Sequence, residues 1–224
     1  MLPQNTGRLL LVSLGELFFF GLVFGLAWLL SRVTPGQLRL TWRGTIAPVV
    51  RGFAYSIALR IVVAIGVVLA FAILHVVVGT PEGGVKASMP RVDAIVDPAA
   101  LSKDPVYLIL MLTLVSFVVA GLREELWRAG MLAGFETLFP NMFQSRTGAM
   151  LAVTLIAVAF GLGHLIQGWI AVGVATLLGI GLGAIILIHR SIWDAVLAHG
   201  FFDATTFALL CLVGRFAPDL FPGK

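Results

Sequence analysis

Between residues 147 and 189 the chain carries no Asp, Glu, Lys or Arg. A bilayer core asks for about 20 apolar residues per helix, so this one run is long enough for two crossings. Gln167, Gly168 and Trp169 mark the expected break between them. Similar runs cover 9–31, interrupted only by Glu16, and 61–79, which extends back through Arg60 to about Gly52. Two more cover 105–122, opening at Pro105, and 191–214, which holds Asp194, His199 and Asp203. Segment 123–139 opens on Arg123, Glu124, Glu125 and Arg128, turns apolar apart from Glu136, and stops before Pro140. It reads either as a short seventh helix or as the continuation of 105–122. The expected fold is all-α and polytopic, with six to eight transmembrane helices, about seven, in a single integral membrane domain over 1–224. Within it, 1–104 supplies N-terminal helices and a polar loop, and 105–214 the polar clusters described below.

Composition agrees. Of the chain, 59% is hydrophobic and 12% charged, against about 25% charged in an average soluble domain. A soluble fold of this length buries only about 70% of its surface and would leave too much apolar area wet. A soluble globular protein, a disordered chain and a disulfide scaffold are therefore excluded, and Cys211, the one cysteine, has no internal partner. The uninterrupted runs exclude an outer-membrane barrel, whose strands alternate over about ten residues. The first run exceeds the usual signal-peptide core and ends in Ser31-Arg32 without a small-x-small site, so it reads as a retained helix. The formal charge of +4 comes from basic residues placed in short connections between the runs. That placement speaks for membrane orientation and against nucleic acid. Segment 32–51 holds Arg32, Arg39, Arg43 and Arg51 and no acid, and is assigned to the cytoplasm; the N-terminus and the Pro/Gly-containing segment 80–104, read as an extramembrane loop, then lie outside. His189-Arg190 falls inside if 105–139 is a single crossing.

Ionisable residues inside apolar spans cost about 2.5–3.5 kcal/mol each on insertion scales, so they are candidate functional groups. Three clusters stand out. In Arg123-Glu124-Glu125-Leu126-Trp127-Arg128, the adjacent carboxylates point about 100° apart on a helix. Arg128 is four residues beyond Glu124 and three beyond Glu125, so one acid can be clamped while the other stays open to proton transfer. Its structural reading is a solvated helix start. In Phe160-Gly161-Leu162-Gly163-His164, a histidine closes an apolar helix and the glycines leave room beside its imidazole; its structural reading is an interhelical hydrogen bond. In His199-Gly200-Phe201-Phe202-Asp203, the histidine and aspartate share a face, and the carboxylate can orient the ring; its structural reading is a packing pair. His75, His189, Glu16, Arg60 and Asp194 stand alone and are read as structural. Gly179/Gly183 and Gly21/Gly25 have the four-residue spacing that permits close helix contact. A glutamate, a histidine and a His/Asp pair on three apolar segments fit water activation with oxyanion stabilisation. They equally fit a His₂Glu metal site with an open position, with zinc as the cofactor.

These clusters, in this order, resemble the CPBP family of intramembrane endopeptidases: CAAX prenyl endopeptidases of the Ras-converting type and bacterial relatives, some linked to bacteriocin processing or self-immunity. The matching residues are Glu124-Glu125 with Arg128, Phe160 to His164, and His199 to Asp203. The family pattern is Glu-Glu-x-x-x-Arg-Gly; here Arg128 stands one place early before Ala129-Gly130, a turn of about 100° that keeps it within i,i+4 reach of Glu124 but out of the family arginine's position on Glu125. The resemblance implies Glu124 as general base on water, assisted by His164. His199 and Asp203 would stabilise the oxyanion or position the scissile carbonyl, and Glu125 and Arg128 would orient. It implies no cofactor, a membrane protein or peptide substrate that can include prenylated ones, and residence in the lipid bilayer of the bacterial inner (plasma) membrane. A zinc protease built on the same residues is one alternative. A non-catalytic relative acting as an immunity or scaffold protein is the other, favoured by the displaced arginine. No oligomeric state follows from the sequence.

Overall fold

The computed structural model describes residues 5–79, 90 and 96–216. Among the described residues, eight helices and one 3₁₀ turn (Leu165–Gln167) account for the regular structure, with no strand. The helices are α1 (Thr6–Ser31), α2 (Ala47–Val78), α3 (Pro98–Lys103), α4 (Pro105–Leu138), α5 (Pro140–Phe143), α6 (Arg146–Leu162), α7 (Trp169–His189) and α8 (Trp193–Phe216). Five of them, α1, α2, α4, α7 and α8, are long and apolar enough to cross a membrane; α6 is shorter, at 17 residues. The chain is an all-α polytopic membrane protein. Segment 123–139 is not a separate helix. Neither a proline nor a glycine interrupts 122–125, so the helix begun at Pro105 runs on for 34 residues to Leu138. Its middle, Met111–Leu122, is π-helical, and α geometry resumes at Arg123.

Capping residues set the ends. Asp97 accepts from the N–H groups of Ala99 and Ala100 ahead of Pro98, and Asp104 accepts from those of Val106 and Tyr107 ahead of Pro105. Both are Asx caps followed by the one residue type that needs no N–H partner at a helix start. Most of the expected loop 80–104 lies outside the described residues, but its end is not loop: α3 packs in, with Val96 and Leu101 buried beside Leu9, Tyr107, Met111, Phe207 and Cys211. Thr6 donates to Asp104 at 2.7 Å. That hydroxyl, followed by the Tyr107 N–H, holds the Asp104 carboxyl below the usual aspartate range.

Two groups of contacts define the two ends of the bundle. At one, Thr6 meets Asp104 and Arg215 donates to the Ser102 carbonyl at 3.1 Å. At the other, the Ile192 N–H donates to Arg39 at 3.0 Å, Ser191 to the Thr41 carbonyl at 2.9 Å, and Trp193 to Leu40 at 2.8 Å. Arg39 also reaches Glu136 at 2.5 Å. The starts of α1 and α4 thus share one end, while the 32–46 connection, the end of α4 and the α7–α8 turn share the other. Helix α8 lies between α2, α7 and the π-helical part of α4, and α1 packs chiefly along α4.

Small residues set the close approaches. Gly179 and Gly183 of α7 lie against Ala157 and Val153 of α6, at the spacing that permits close contact, whereas no neighbouring atom of the described residues comes within 4 Å of where a Cβ would stand on Gly21 or Gly25. Gly161 is not a source of room beside His164: a Cβ there would fall 2.0 Å from the Thr176 hydroxyl and 2.7 Å from the Val172 carbonyl. It is the contact point of α6 on α7. Gly161→Ala is therefore expected to force the two helices apart at a cost of about 1–3 kcal/mol, read as a lowered Tm of the detergent-solubilised protein. An unchanged Tm would show that the interface yields freely.

Candidate active site

Glu124 and Glu125 stand on the first α turn after the π stretch, and the helix sends them into different surroundings. Glu125 is fully buried. Its Oε1 accepts from Arg128 Nη1 and, at 3.0 Å, from His199 Nδ1. Glu124 stays one-fifth exposed; its Oε1 accepts from Arg123 Nη2 at 3.1 Å. Arg123 is held from its other side by Glu16 of α1, at 2.6 Å.

This corrects the arginine pairing expected from the sequence. Arg128 holds Glu125, not Glu124, despite standing one place early in the motif. Positions three and four residues on lie about 60° to one side and 40° to the other of a given helical residue, so both reach it. The 100° separates the two arginine positions from each other; it does not carry either one away from Glu125.

On α8, the buried His199 bridges the two acids. With Nδ1–H given to Glu125, its Nε2 points to the gap between Glu124 and Asp203, 3.8 Å from a carboxylate oxygen of each. Those distances are too long for direct hydrogen bonds. The neutral Nδ1–H tautomer makes Nε2 an acceptor; a proton on both nitrogens makes it a donor.

His164 packs on Phe160 and lines the same cleft as Glu124. Its Nδ1 donates to the Phe160 carbonyl at 3.0 Å, and the two rings meet tilted at 59° with centroids 4.7 Å apart. The Phe160 ring in turn faces His199 edge-on at 6.5 Å and carries the Arg128 guanidinium at 5.1 Å. His164 and Glu124 share a cleft of about 380 Å³, walled by Phe20, Arg123, Trp127 and Phe160. The structure therefore joins Glu124, Glu125, Arg128, His199 and Asp203 in one cluster and sets His164 across the cleft.

The residues read as standing alone have partners. Glu16 pairs with Arg123. Asp194 accepts from Arg51 at 2.5 Å, and His189 meets the Tyr55 hydroxyl at 2.8 Å. Arg60 spans from α2 to α8, donating to the Phe202 carbonyl at 2.8 Å, to Thr206 at 3.1 Å and to Thr205, with its guanidinium over the Phe202 ring. It braces the turn of α8 that carries Asp203. Pattern reading named Arg123 in the first cluster and Arg60 as a residue standing alone, and gave neither a supporting role. Their signal was the insertion cost of a lone arginine, which demands a partner somewhere.

For zinc, the donor set is poorly matched. Among the described residues no three His, Cys, Asp or Glu side chains are grouped so as to hold a metal ion. Glu125 Oε1 is taken by Arg128 and His199, and His164 is separated from His199 by the Phe160 ring.

Fold and cluster together define a polytopic membrane protein with a buried carboxylate–imidazole centre beside an apolar cleft. The model of the type II CAAX prenyl endopeptidase Rce1-like family matches residues 105–205, the segment of the chain that bears this centre. No curated protein and no solved structure matches the chain at a significant level.

Proposed function

We propose that the protein is an intramembrane endopeptidase that hydrolyses a peptide bond of a membrane-associated protein or peptide by attack of an activated water. The observation that supports this most directly is the division of labour between adjacent glutamates. Glu125 is sealed and spends an oxygen on Arg128 and His199, whereas Glu124 faces a cleft. Glu124 takes a proton from water as its oxygen bonds to the scissile carbonyl carbon, and later passes that proton to the leaving amine. Glu125 orients His199 as a buried aspartate orients a histidine in a serine protease, by accepting its Nδ1–H. A doubly protonated His199 then donates Nε2–H to the oxyanion. Asp203, ionised, cannot donate and acts through His199. His164, its Nδ1 fixed by Phe160, assists from the far wall of the cleft. The non-catalytic alternative leaned on the displaced arginine, and that support falls away because Arg128 still pairs with Glu125.

The test is cleavage by the purified chain, in mild detergent, of a C-terminal CAAX peptide with and without an isoprenyl group. Run in ¹⁸O-water, each turnover is expected to leave one labelled oxygen in the new carboxylate. No cleavage of either peptide, by a protein that retains its native Tm, would remove the proposed substrate class. A companion experiment separates the zinc alternative. If zinc sat on Glu124, His164 and His199, Glu125 would be the one nearby acid left to act as base, yet it is already bonded twice. Activity is expected to survive chelation, with substoichiometric zinc by elemental analysis. One zinc per chain, with activity lost on removal and restored on addition, would establish the metal mechanism instead.

A further inference from the structure

A second cavity, of about 1390 Å³, opens at the arginine-rich end and is lined by none of the residues of the candidate active site. The 32–46 connection, the end of α4, the start of α6 and the end of α7 wall it. Arg39, Arg43, Arg146 and Arg190 line it against one carboxylate, Glu136. Arg39 lies deepest: its Nη2 is bonded to Glu136 at 2.5 Å, while its Nη1 is buried with no hydrogen-bond partner among the described residues. Arg43, Arg146 and Arg190 are exposed, and make no ion pair among the described residues. Arg39 and Arg190 hold left-handed backbone, at φ 55° and 49°, as does Arg32 at the end of α1, which does not line this cavity. The Ile192 N–H to Arg39 carbonyl bond fixes the first of these.

A bias of arginines toward one membrane face accounts for their presence on this end. It does not account for a buried guanidinium nitrogen without a partner among the described residues. That is explained by an anion that completes the site. The cavity is far larger than a phosphate ion, and its wall also includes Met150 of α6 and Ile188 of α7, 37% and 69% exposed. From Met150 the exposed apolar surface continues along α6 through Leu151 and Leu155. A ligand that fits both parts has a phosphate head and apolar tails.

We propose that this cavity binds the phosphate of an anionic phospholipid headgroup, with the acyl chains lying along the exposed flank of α6 and α7. Basic pockets between transmembrane helices recognise headgroups by this chemistry. Arg39 donates from below, and Arg43, Arg146 and Arg190 close over the phosphate from the rim with the paired N–H groups that suit it.

The test is native mass spectrometry of the full chain released from mild detergent after equilibration with phosphatidylglycerol or phosphatidylcholine of identical acyl chains. Wild type is expected to retain phosphatidylglycerol roughly tenfold more than phosphatidylcholine. R43Q/R146Q/R190Q, which alters exposed side chains alone, is expected to abolish that preference while the Tm of the lipid-free protein is unchanged. Excess inorganic phosphate is expected not to displace the lipid. Equal retention of the two lipids by wild type would overturn the proposal without recourse to any variant, as would an undiminished preference in the triple variant. Displacement by inorganic phosphate at the lipid's own concentration would assign the site to free phosphate and reject the lipid.

Discussion

Glu124→Gln is expected to give a folded membrane protein whose turnover falls by roughly 10²-fold or more. The amide keeps the shape of the carboxylate and can still accept from Arg123, so the link from Glu16 through Arg123 to α4 is preserved. What it cannot do is take a proton from water. Glu125→Gln separates the two acids: it retains an oxygen for His199 Nδ1–H and loses the charge opposite Arg128, so its main effect is expected on stability. Cleavage of the CAAX peptide by each variant, with Tm measured alongside, reads both effects. Near-wild-type turnover in Glu124→Gln would move the base elsewhere or end the hydrolytic reading.

The largest effect on stability is expected from Arg128→Met. Removing one partner of a buried ion pair leaves an uncompensated charge and typically costs about 3–5 kcal/mol. Here the survivor is Glu125, fully enclosed, with its other oxygen already lacking a hydrogen-bond partner among the described residues. The same substitution removes the cation from the face of Phe160, the ring on which His164 rests. Thermal unfolding in detergent should show a large drop in Tm, and Glu125→Gln/Arg128→Met should recover much of it by removing the orphaned charge. An unaltered Tm in the single variant would mean that Glu125 is neutral or solvated when Arg128 is absent, and the tight pair described above would have no energetic role.

How far the sequence led differs by element. The spans were legible because a bilayer demands long uncharged runs, and the break before Trp169 was legible from its residues: Gly168 takes φ 101°, after a 3₁₀ turn over Leu165–Gln167. The unity of α4 was not, because polar residues at 123–125 look like a helix start and in fact lie mid-helix, turned inward to partners on α1 and α8. The candidate residues were legible as costly polar groups. Which glutamate would be sealed was not, since adjacent positions differ only by a rotation whose origin is set by tertiary packing. The arginine-lined cavity escaped pattern reading for a similar reason: Arg39 and Arg43 come from the 32–46 connection, Arg146 from the start of α6 and Arg190 from the α7–α8 turn, and they meet only when the helices close.

The π-helical stretch of α4 carries a consequence for how the aim of the glutamates is set. Gly121 approaches the Val196 carbonyl and the Phe117 ring packs onto Gly200, so Met111–Leu122 is seated on α8 along its length. A π turn differs from an α turn by about one residue. Converting one into the other changes the number of residues between Pro105 and Arg123 while the downstream helix keeps its phase. The stretch therefore works as a vernier. A one-residue deletion within it can be absorbed by local rewinding, with Glu124 still facing the cleft and Glu125 still facing His199, whereas a deletion between Arg123 and Arg128 has no such slack and must be met by trading an i,i+4 pair for an i,i+3 one.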